Sequence, residues 1–508
     1  MSNTLKNKVA KGAVWATLEK FSTQIVSFAV GIVLARLLTP TDYGTVALLS
    51  IFFAVAGSLA SCGFGNALVQ RKTIGDLEFN SVFYVSIAAS LVIYVIIFFA
   101  APAIAAFYRV PVLCPLARVS ALSFIFNAIN SVQSAELSRK MLFNKRFRIN
   151  LIVCAVSAVS GISLAYMGLG VWALVCSSLL ANIASLIAYW LIIAWRPKLM
   201  FSVQAVKGLF SYGWKLSLSA MLHTFYTELY GFLVGRVYTP ADLAFVNKSR
   251  AMPNLLMTTV NGTITGVSFP ALAQLQDDIA KFRDAVRRMI QCSTFVVFPL
   301  LTMLAVTARP LTLLLYGHQW EPAIVYVPIG CFALATGPIT SINCMAISAL
   351  GRSGVYLVLE CVKKGSGLLL MLFSIRYGVM AFVMTMAFVQ GPFAVLANTY
   401  VNGRLMRYNF WMQMRDVIPS ILLCGVMALI MFGLRMLLSP LLAFVLCQNV
   451  AFAIELVLEG LVGAISYIAL AIVFRLRPME EYLRLLMPIV LQRAPRFVRF
   501  VPCVRRSV

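Results

Sequence analysis

Polar side chains recur at helical spacing inside one strongly apolar part of the sequence. They stand three or four residues apart: Asn247, Arg250, Asn254, Thr258, Asn261 and Thr265. This spacing places all of them on one face of a helix. Exposure of polar side chains to lipid is unfavourable in free energy, so a polar stripe that crosses a bilayer must face water or a neighbouring helix. Lining of a cavity and plain helix packing are both compatible with the pattern.

Several charged side chains also stand inside apolar stretches. Four cations lack an obvious acidic partner at helical spacing: Lys20, Lys215, Lys248 and Arg250. A charge at the centre of a membrane helix costs about 2.5–3.5 kcal/mol on insertion scales, so it usually has a partner or a purpose. We expect these cations to bind an anionic substrate, with local pairing or snorkelling as the alternative. Three other titratable groups are candidate ion or proton carriers: Glu19, His223 and Glu228.

Two further groups of charges receive structural interpretations. Glu360 and Lys364 are four residues apart in one apolar stretch and are expected to pair with each other. Glu455 and Glu459 come early in the last apolar stretch. Their position predicts that they lie close to the membrane surface.

A seven-residue phrase occurs twice, 200 residues apart: Arg36-x-x-Thr39-Pro40-x-Asp42 and Arg236-x-x-Thr239-Pro240-x-Asp242. Proline near a first turn and an aspartate that can cap backbone amides are typical of a helix start. Each arginine ends the preceding apolar stretch, where it can reach the surface. The alternative is that Arg36, Asp42, Arg236 and Asp242 form an external gate that links two halves of the chain.

The elements that carry these residues are predicted to be membrane-spanning helices. The chain is 61% hydrophobic and 12% charged, and short alternating strands, which a transmembrane barrel needs, are absent. Fourteen apolar stretches are long enough to cross the hydrocarbon layer. We predict an all-α polytopic membrane protein with these approximate spans: 14–35, 43–67, 82–107, 113–135, 149–169, 171–194, 209–234, 244–268, 290–315, 323–349, 355–375, 379–402, 417–438 and 453–474.

The repeated phrase indicates an internal duplication. The displacement of the phrase covers six predicted spans, and an even number returns the chain to the same side of the membrane. We therefore predict two parallel six-helix lobes related by a pseudo-two-fold axis along the membrane normal. The predicted boundaries are 1–198 for the first lobe, 199–403 for the second, 404–474 for two additional spans and 475–508 for a basic tail.

The net charge of +25 is explained by topology rather than by nucleic-acid binding. Most of the 42 lysines and arginines fall on one side of the predicted membrane. Seven lie on the other side: Arg36, Arg109, Arg118, Arg236, Arg309, Arg376 and Arg435. Positively charged loops stay in the cytoplasm, so both termini are predicted to be cytoplasmic. The basic tail is expected to lie on the anionic inner leaflet or to be solvated.

Several classes of function are disfavoured by what the sequence lacks. It contains no G-x-x-x-x-G-K-[ST] loop for nucleotide binding. Its two histidines and scattered cysteines predict no metal site, and no cofactor is expected. Its external loops are short and carry no pair of carboxylates for glycosyl transfer. We therefore expect a transport protein and not an enzyme.

The sequence resembles Wzx-type polysaccharide flippases. The resemblance is carried, in order, by Leu38-Thr-Pro-Thr-Asp42-Tyr-Gly-Thr-Val-Ala47, Cys62-Gly-Phe-Gly65, Ala67-Leu-Val-Gln-Arg71, Gly168-Leu-Gly-Val-Trp-Ala-Leu174, Phe269-Pro-Ala-Leu-Ala273, Tyr316-Gly-x-x-Trp320 and Glu360-x-x-Lys363-Lys364. It covers residues from about 10 to 400. The most similar subgroup includes colanic-acid and teichuronic-acid exporters.

The resemblance implies the fold of the multidrug/oligosaccharidyl-lipid/polysaccharide exporter superfamily, with a central cavity lined by spans 1, 2, 7 and 8. The four cations and the polar stripe fall on three of these spans. The implied substrate is an undecaprenyl-diphosphate-linked oligosaccharide, flipped from the inner to the outer leaflet of the bacterial cytoplasmic membrane. The implied partners are membrane lipids, a polysaccharide polymerase and a chain-length regulator.

Two alternatives remain open. The first is a multidrug or small-molecule antiporter of the same fold, against which the two additional C-terminal spans and the exporter phrases argue. The second is a membrane polysaccharide polymerase, which should carry a large external loop with catalytic residues. The first would be indicated by drug efflux without an effect on surface polysaccharide, the second by polymerisation in liposomes.

Overall fold

Helices make up all of the regular structure that can be described. The computed structural model describes residues 3–61, 64–65, 68, 74–445 and 448–479. The side chains of some helical residues in these ranges, including Lys215 and Asn261, lie outside the description, as does the predicted basic tail from residue 480 onward. No strand occurs in the described ranges. Helices satisfy their own backbone groups, which lipid cannot do. The predicted all-α polytopic class is confirmed.

The first part of the chain alternates long helices with short turns. Its α-helices are α1 (Asn3–Leu37), α2 (Pro40–Ala47), α3 (Ser50–Ser61), α4 (Asp76–Tyr108), α5 (Leu113–Arg139), α6 (Phe143–Tyr166), α7 (Val171–Ile192), α8 (Val203–Val237) and α9 (Pro240–Ala273). Here α2 and α3 together correspond to the second predicted span. Helices α8 and α9 correspond to the seventh and eighth, which carry most of the candidate cations.

The second part contains more interruptions. Its α-helices are α10 (Ile279–Val306), α11 (Ala308–Tyr316), α12 (Tyr326–Ala335), α13 (Gly337–Ala349), α14 (Ser353–Ser374), α15 (Val379–Thr385), α16 (Gly391–Met406), α17 (Phe410–Val445) and α18 (Gln448–Val473). Short 3-10 helices cover His318–Ala323 and Ile375–Tyr377, and a π-helical turn covers Met386–Gln390. This turn joins α15 and α16 into one long helix, which corresponds to the twelfth predicted span.

By length and composition alone, eleven helical stretches among the described residues are apolar enough to cross a membrane. Three more helices, α8, α9 and α14, are long enough but are not among these eleven. Each has charged residues inside its predicted span. The positions of these helices match the predicted spans, and the count of fourteen crossings stays a prediction.

Contacts between helices divide the chain into two compact units. The first comprises Met1–Val246 with Leu315–Gln319, and the second comprises Asn247–Leu314 with Trp320–Val508. The first unit extends beyond the predicted lobe boundary at residue 198 because α8 packs against α3 and α4. The duplication into two parallel six-helix lobes stays a prediction.

Each unit has its own apolar interior. In the first, α4 packs on α5 and α1 packs on α6, with Leu68, Val82 and Val132 buried between helices. In the second, α10 packs against α12, α13 and α17. Phe282 and Tyr408 are buried in its largest described cluster. Two further clusters of the second unit bury Met257 of α9 and Tyr467 of α18, the helices that carry the polar residues considered below.

Candidate functional site

The first copy of the repeated phrase caps α2. The backbone N–H of Asp42 donates to Thr39 Oγ1 at 3.2 Å, and the N–H of Thr39 donates to Asp42 Oδ2 at 3.0 Å. Pro40 stands in the first turn of the helix, where its missing N–H is not needed. This reciprocal arrangement is a capping box. Asp42 therefore satisfies two donors at a helix start.

The second copy repeats the same geometry at the start of α9. The N–H of Asp242 donates to Thr239 Oγ1 at 3.2 Å, and the N–H of Thr239 donates to Asp242 Oδ2 at 3.1 Å. The Thr239 hydroxyl also donates to Asp242 Oδ2 at 2.7 Å, as Thr39 does to Asp42. The duplicated sequence thus builds a duplicated local structure.

The arginines of the two phrases have different surroundings. Arg36 Nε donates to the carbonyl oxygen of Leu315 at 3.0 Å. Gln319 Nε2 donates to the carbonyl oxygen of Ala35 at 2.6 Å, so hydrogen bonds tie the end of α1 to the end of α11 and to the 3-10 helix that follows it. The guanidinium of Arg236 instead lies 4.8 Å above the Phe107 ring, a cation–π contact.

Tyr316, in the same segment, contributes a buried hydroxyl at this end of α1. Burial raises its pKa to about 12, so the hydroxyl stays neutral at physiological pH. It adds no charge to the segment that holds Arg36.

Glycines allow an unusually close approach at the two phrases. A Cβ added to Gly44 would lie 1.7 Å from the carbonyl oxygen of Pro240, which is backbone and cannot turn aside. A Cβ on Gly235 would lie 2.2 Å from Leu48 Cδ2. We refer to Arg36, Gly44, Arg236, Pro240 and Gln319 as the Thr-Pro junction. It joins segments from both predicted lobes, all of them within the first compact unit.

The polar stripe of α9 lies on the accessible face of its helix. Asn247, Asn254 and Thr258 are exposed and Arg250 is half-buried. The opposite face is buried and includes Val246, Ser249, Pro253 and Met257. The structure therefore brings four predicted site residues together on one accessible surface, whereas the side chain of Asn261 lies outside the description.

Contacts constrain the two described cations of α9. Lys248 is half-buried, and its Nζ lies 5.5 Å from the centre of the Trp320 ring, which is fully buried. A Cβ added to Gly330 on α12 would lie 3.6 Å from Arg250 Cγ, so the stem of that arginine packs beside α12. The ammonium group of Lys248 and the apolar stem of Arg250 thus each contact a neighbouring element.

The candidate site residues described on α1 and α8 range from exposed to half-buried. Lys20 is exposed, but the neighbouring Glu19 has local partners on α6. Its Oε1 accepts a hydrogen bond from Asn150 Nδ2 at 2.6 Å and lies 3.1 Å from Arg146 Nε. On α8, His223 is exposed and Glu228 is half-buried. The side chain of Lys215 lies outside the description.

The predicted ion pair of Glu360 and Lys364 is present, but Glu360 forms a closer ion pair with Lys363. Lys364 Nζ lies 3.8 Å from Glu360, whereas Lys363 forms the closer ion pair with the same carboxylate. Lys363 is buried, and its Nζ also lies 3.4 Å from Cys344 Sγ on α13. Lys363, three residues after Glu360, forms the closer pair because its side chain points toward α13. The side chain of Lys364, four residues after Glu360, points toward the helix surface. The contact between Lys363 and Cys344 joins two helices, so the spacing of residues within one helix could not predict it.

The expectation that Glu455 and Glu459 lie close to the membrane surface stays a prediction. Their side chains are packed between helices and are 5% and 0% exposed, respectively. They share a face of α18 with Ala451, Gly463 and Tyr467, and that helix packs against α10 and α17. The spacing of four residues among these positions was the available signal.

Two solved structures share this fold. The structure titled "Lipid II flippase MurJ, inward closed conformation" has a TM-score of 0.69 and 14% identity, covering 90% of this chain and 98% of that one. An inward-facing multidrug resistance MATE family transporter of the MOP superfamily has a TM-score of 0.59 and 18% identity, covering 78% and 94%. The fold is thus the polytopic helical fold that these transport proteins share.

Residues 33–325, more than half of the chain, match the family described as "Polysaccharide biosynthesis protein", and the chain belongs to that family. Similar curated proteins include the succinoglycan biosynthesis transport protein ExoT of Rhizobium meliloti, 26% identical over 67% of this chain and 69% of that protein. The teichuronic acid biosynthesis protein TuaB of Bacillus subtilis is 21% identical over 85% and 90%. The lipopolysaccharide biosynthesis protein WzxC of Escherichia coli is 23% identical over 65% and 67%.

These relatives confirm the predicted resemblance to Wzx-type flippases. The chain is a multi-pass membrane protein of polysaccharide biosynthesis that is related to transport proteins.

Proposed function

We propose that this protein flips undecaprenyl-diphosphate-linked oligosaccharides from the inner to the outer leaflet of the bacterial cytoplasmic membrane. Family membership and the names of the curated relatives support a saccharide substrate. The observation that carries the proposal is the accessible polar face of α9, with Asn247, Asn254 and Thr258 exposed along a long helix of a membrane protein. Such a face requires water or a polar cargo beside it.

The cations are proposed to hold the diphosphate. Arg250 offers a planar fork of donors that suits phosphate oxygens, and Lys248 offers a point charge. The contacts with α12 and with Trp320 restrict how far these side chains move. Lys20 and Lys215 are proposed to attract the anionic substrate as well. The amides and hydroxyls of Asn247, Asn254, Thr258 and Asn261 would hydrogen-bond sugar hydroxyls.

Alternating access is proposed to act through the Thr-Pro junction. Arg36, Gln319 and the Gly44–Pro240 approach join segments of the two predicted lobes at the helix ends. Opening there would break the two hydrogen bonds and separate the two backbones. Asp42 and Asp242 would keep their helix starts intact during this motion.

Ion coupling is proposed for Glu19, His223 and Glu228. Glu19 would have to release Arg146 and Asn150 before it could bind an ion. His223 and Glu228 stand five residues apart on α8, the helix that also carries Lys215. The transport role, the cytoplasmic termini and the handover of product to a polymerase and a chain-length regulator belong to the same proposal.

Replacement of the chromosomal gene by variants tests the proposal in cells. Loss of the protein should abolish the surface polysaccharide and leave its lipid-linked repeat unit on the inner leaflet. Re-expression of the wild-type chain should restore the polysaccharide. Unchanged polysaccharide together with lost drug efflux would instead identify the multidrug antiporter.

A further inference from the structure

One face of α18 is acidic and buried in a helix that is otherwise apolar. Glu455 and Glu459 are one turn apart, and both point between α10 and α17. The opposite face carries Val457, Leu461 and Ile465, which are more than half exposed and suit a lipid surface. Two carboxyl groups therefore lie inside a helix packing that is expected to stand in the membrane.

In the described part of the chain, Arg435 is the cation beside this pair of carboxyl groups, and it contacts Glu455. Arg435 Nε on α17 lies 3.4 Å from Glu455 Oε1, and the same guanidinium donates from Nη1 to the carbonyl oxygen of Val306 at 3.2 Å. One arginine balances one carboxylate. When both groups are ionised, the second carboxylate leaves one negative charge without a matching cation among the described residues of this packing.

Glu459 is the uncompensated group. It is fully buried, and within the described residues neither of its oxygens receives a hydrogen bond. Glu455 lies one helical turn before Glu459 on the same buried face of α18, so the two carboxyl groups are neighbours. Two ionised carboxylates are acceptors only and repel each other, so this contact becomes a hydrogen bond only when one of them carries a proton.

The surroundings favour a proton over a metal ion. Beside Glu459, Gly460 and Gly463 face Met303 of α10 and Met431 of α17. Hard cations require several oxygen ligands, and thioethers do not supply them. The next titratable groups along this packing are Cys424 of α17 and Tyr467 of α18, whose hydroxyl donates to the carbonyl oxygen of Phe295 at 3.0 Å. They leave Glu455 and Arg435 as the charged neighbours of Glu459.

We propose that Glu455 and Glu459 form a proton-binding site in which the two carboxyl groups share one proton, balanced by Arg435. With one proton bound, the cluster is neutral and its buried acceptors gain a donor. Without it, a bare charge remains in an apolar packing, which is costly. Proton occupancy thus controls how firmly α18 packs on α10 and α17. That this occupancy modulates flipping rests on the proposed function, whereas the site itself does not.

Infrared spectroscopy of the purified full-length protein in phospholipid vesicles tests for the shared proton. The wild-type spectrum should show a protonated carboxyl band at neutral pH, and this band should be lost in Glu459→Gln. The matched control is Glu321→Gln, which removes an exposed carboxylate and should leave the band in place. A band that persists in Glu459→Gln, or that is missing from the wild type, would overturn the proposal.

Thermal unfolding at a series of pH values provides a second readout. Alkaline pH removes the shared proton and leaves the buried charge, so the wild-type Tm should fall relative to that of Glu459→Gln as pH rises. In Arg435→Gln the fall should be steeper, because the compensating charge is gone. Equal pH dependence in wild type and Glu459→Gln would contradict the site.

An exchange of choline chloride for sodium chloride at constant ionic strength distinguishes the proton from a metal ion. No shift in Tm is expected in either the wild type or Glu459→Gln. Stabilisation by sodium that disappears in Glu459→Gln would overturn the assignment of a proton. None of these measurements requires transport, so they can succeed even where the flippase proposal fails.

Discussion

Arg250 and Arg309 are both arginines on helices of the second compact unit, but their surroundings differ. Arg250 is half-buried on the polar face of α9, whereas Arg309 is exposed on α11. If Arg250 binds a diphosphate, Arg250→Ala should lower surface polysaccharide at least tenfold without lowering the amount of protein in the membrane, since a charge-assisted hydrogen bond is worth about 1.5–3 kcal/mol. Arg309→Ala should leave the polysaccharide unchanged.

Quantitative immunoblotting and sugar analysis of the two strains measure both quantities. Equal polysaccharide in the Arg250→Ala strain and the wild type would remove Arg250 from the substrate site. Lys248→Ala extends the comparison, but this substitution also removes the cation–π contact with Trp320.

Asp242 allows a second test at the scale of the residue. Asp242→Ala removes the side-chain acceptor of the Thr239 N–H in the capping box of α9 and should destabilise the protein by about 1 kcal/mol, while Asp242→Asn keeps an acceptor and should retain most of that stability. Thermal unfolding in detergent measures the difference. If Asp242→Asn retained stability but lost transport, the carboxylate charge would have a gating role beyond the cap.

At the scale of elements, the close approach of α2 and α9 makes Gly44 a sensitive position. Gly44→Ala places a methyl group 1.7 Å from the carbonyl oxygen of Pro240, so we expect the Thr-Pro junction to fail to close and transport to be lost. Gly31→Ala on α1 is the matched control, because its added Cβ meets nothing within 4 Å. It should be neutral or stabilising, since alanine favours helices by about 1 kcal/mol over glycine.

Labelling of a cysteine placed near the junction, for example Thr41→Cys, reports whether the junction is closed. Labelling should be faster in the Gly44→Ala background than in the Gly31→Ala background. Equal labelling and equal transport in the two backgrounds would show that the close approach is not needed for the transport cycle.

The helices themselves were largely predictable from sequence. Apolar length located them, and steps of three and four residues placed Asn247, Asn254 and Thr258 on one face of α9. Tertiary partners were not predictable, because they depend on which helices become neighbours. Glu360 therefore pairs with Lys363 as well as with the predicted Lys364, and Glu459 proved to be buried. The spacing of Ala451, Glu455, Glu459 and Gly463 did carry a signal of an inward face.

At the scale of the whole molecule, topology is the simplest prediction to check. An even number of crossings places both termini on the same side of the membrane, and the positive-inside rule predicts that this side is the cytoplasm. A green fluorescent protein fused after residue 479 should fluoresce, and alkaline phosphatase fused at residue 321 should be active because this segment is predicted to be external. The opposite pattern would contradict both the orientation and the placement of the Thr-Pro junction at the external side.

The central claim is that this chain by itself moves a lipid-linked saccharide across a bilayer. The most direct measurement uses purified protein in liposomes that carry an undecaprenyl-diphosphate oligosaccharide, with a membrane-impermeant glycosidase added outside. Protein should raise the cleaved fraction above the half that is exposed from the start, and Arg250→Ala should slow this rise. Cleavage that stops at the level of protein-free liposomes would contradict the claim.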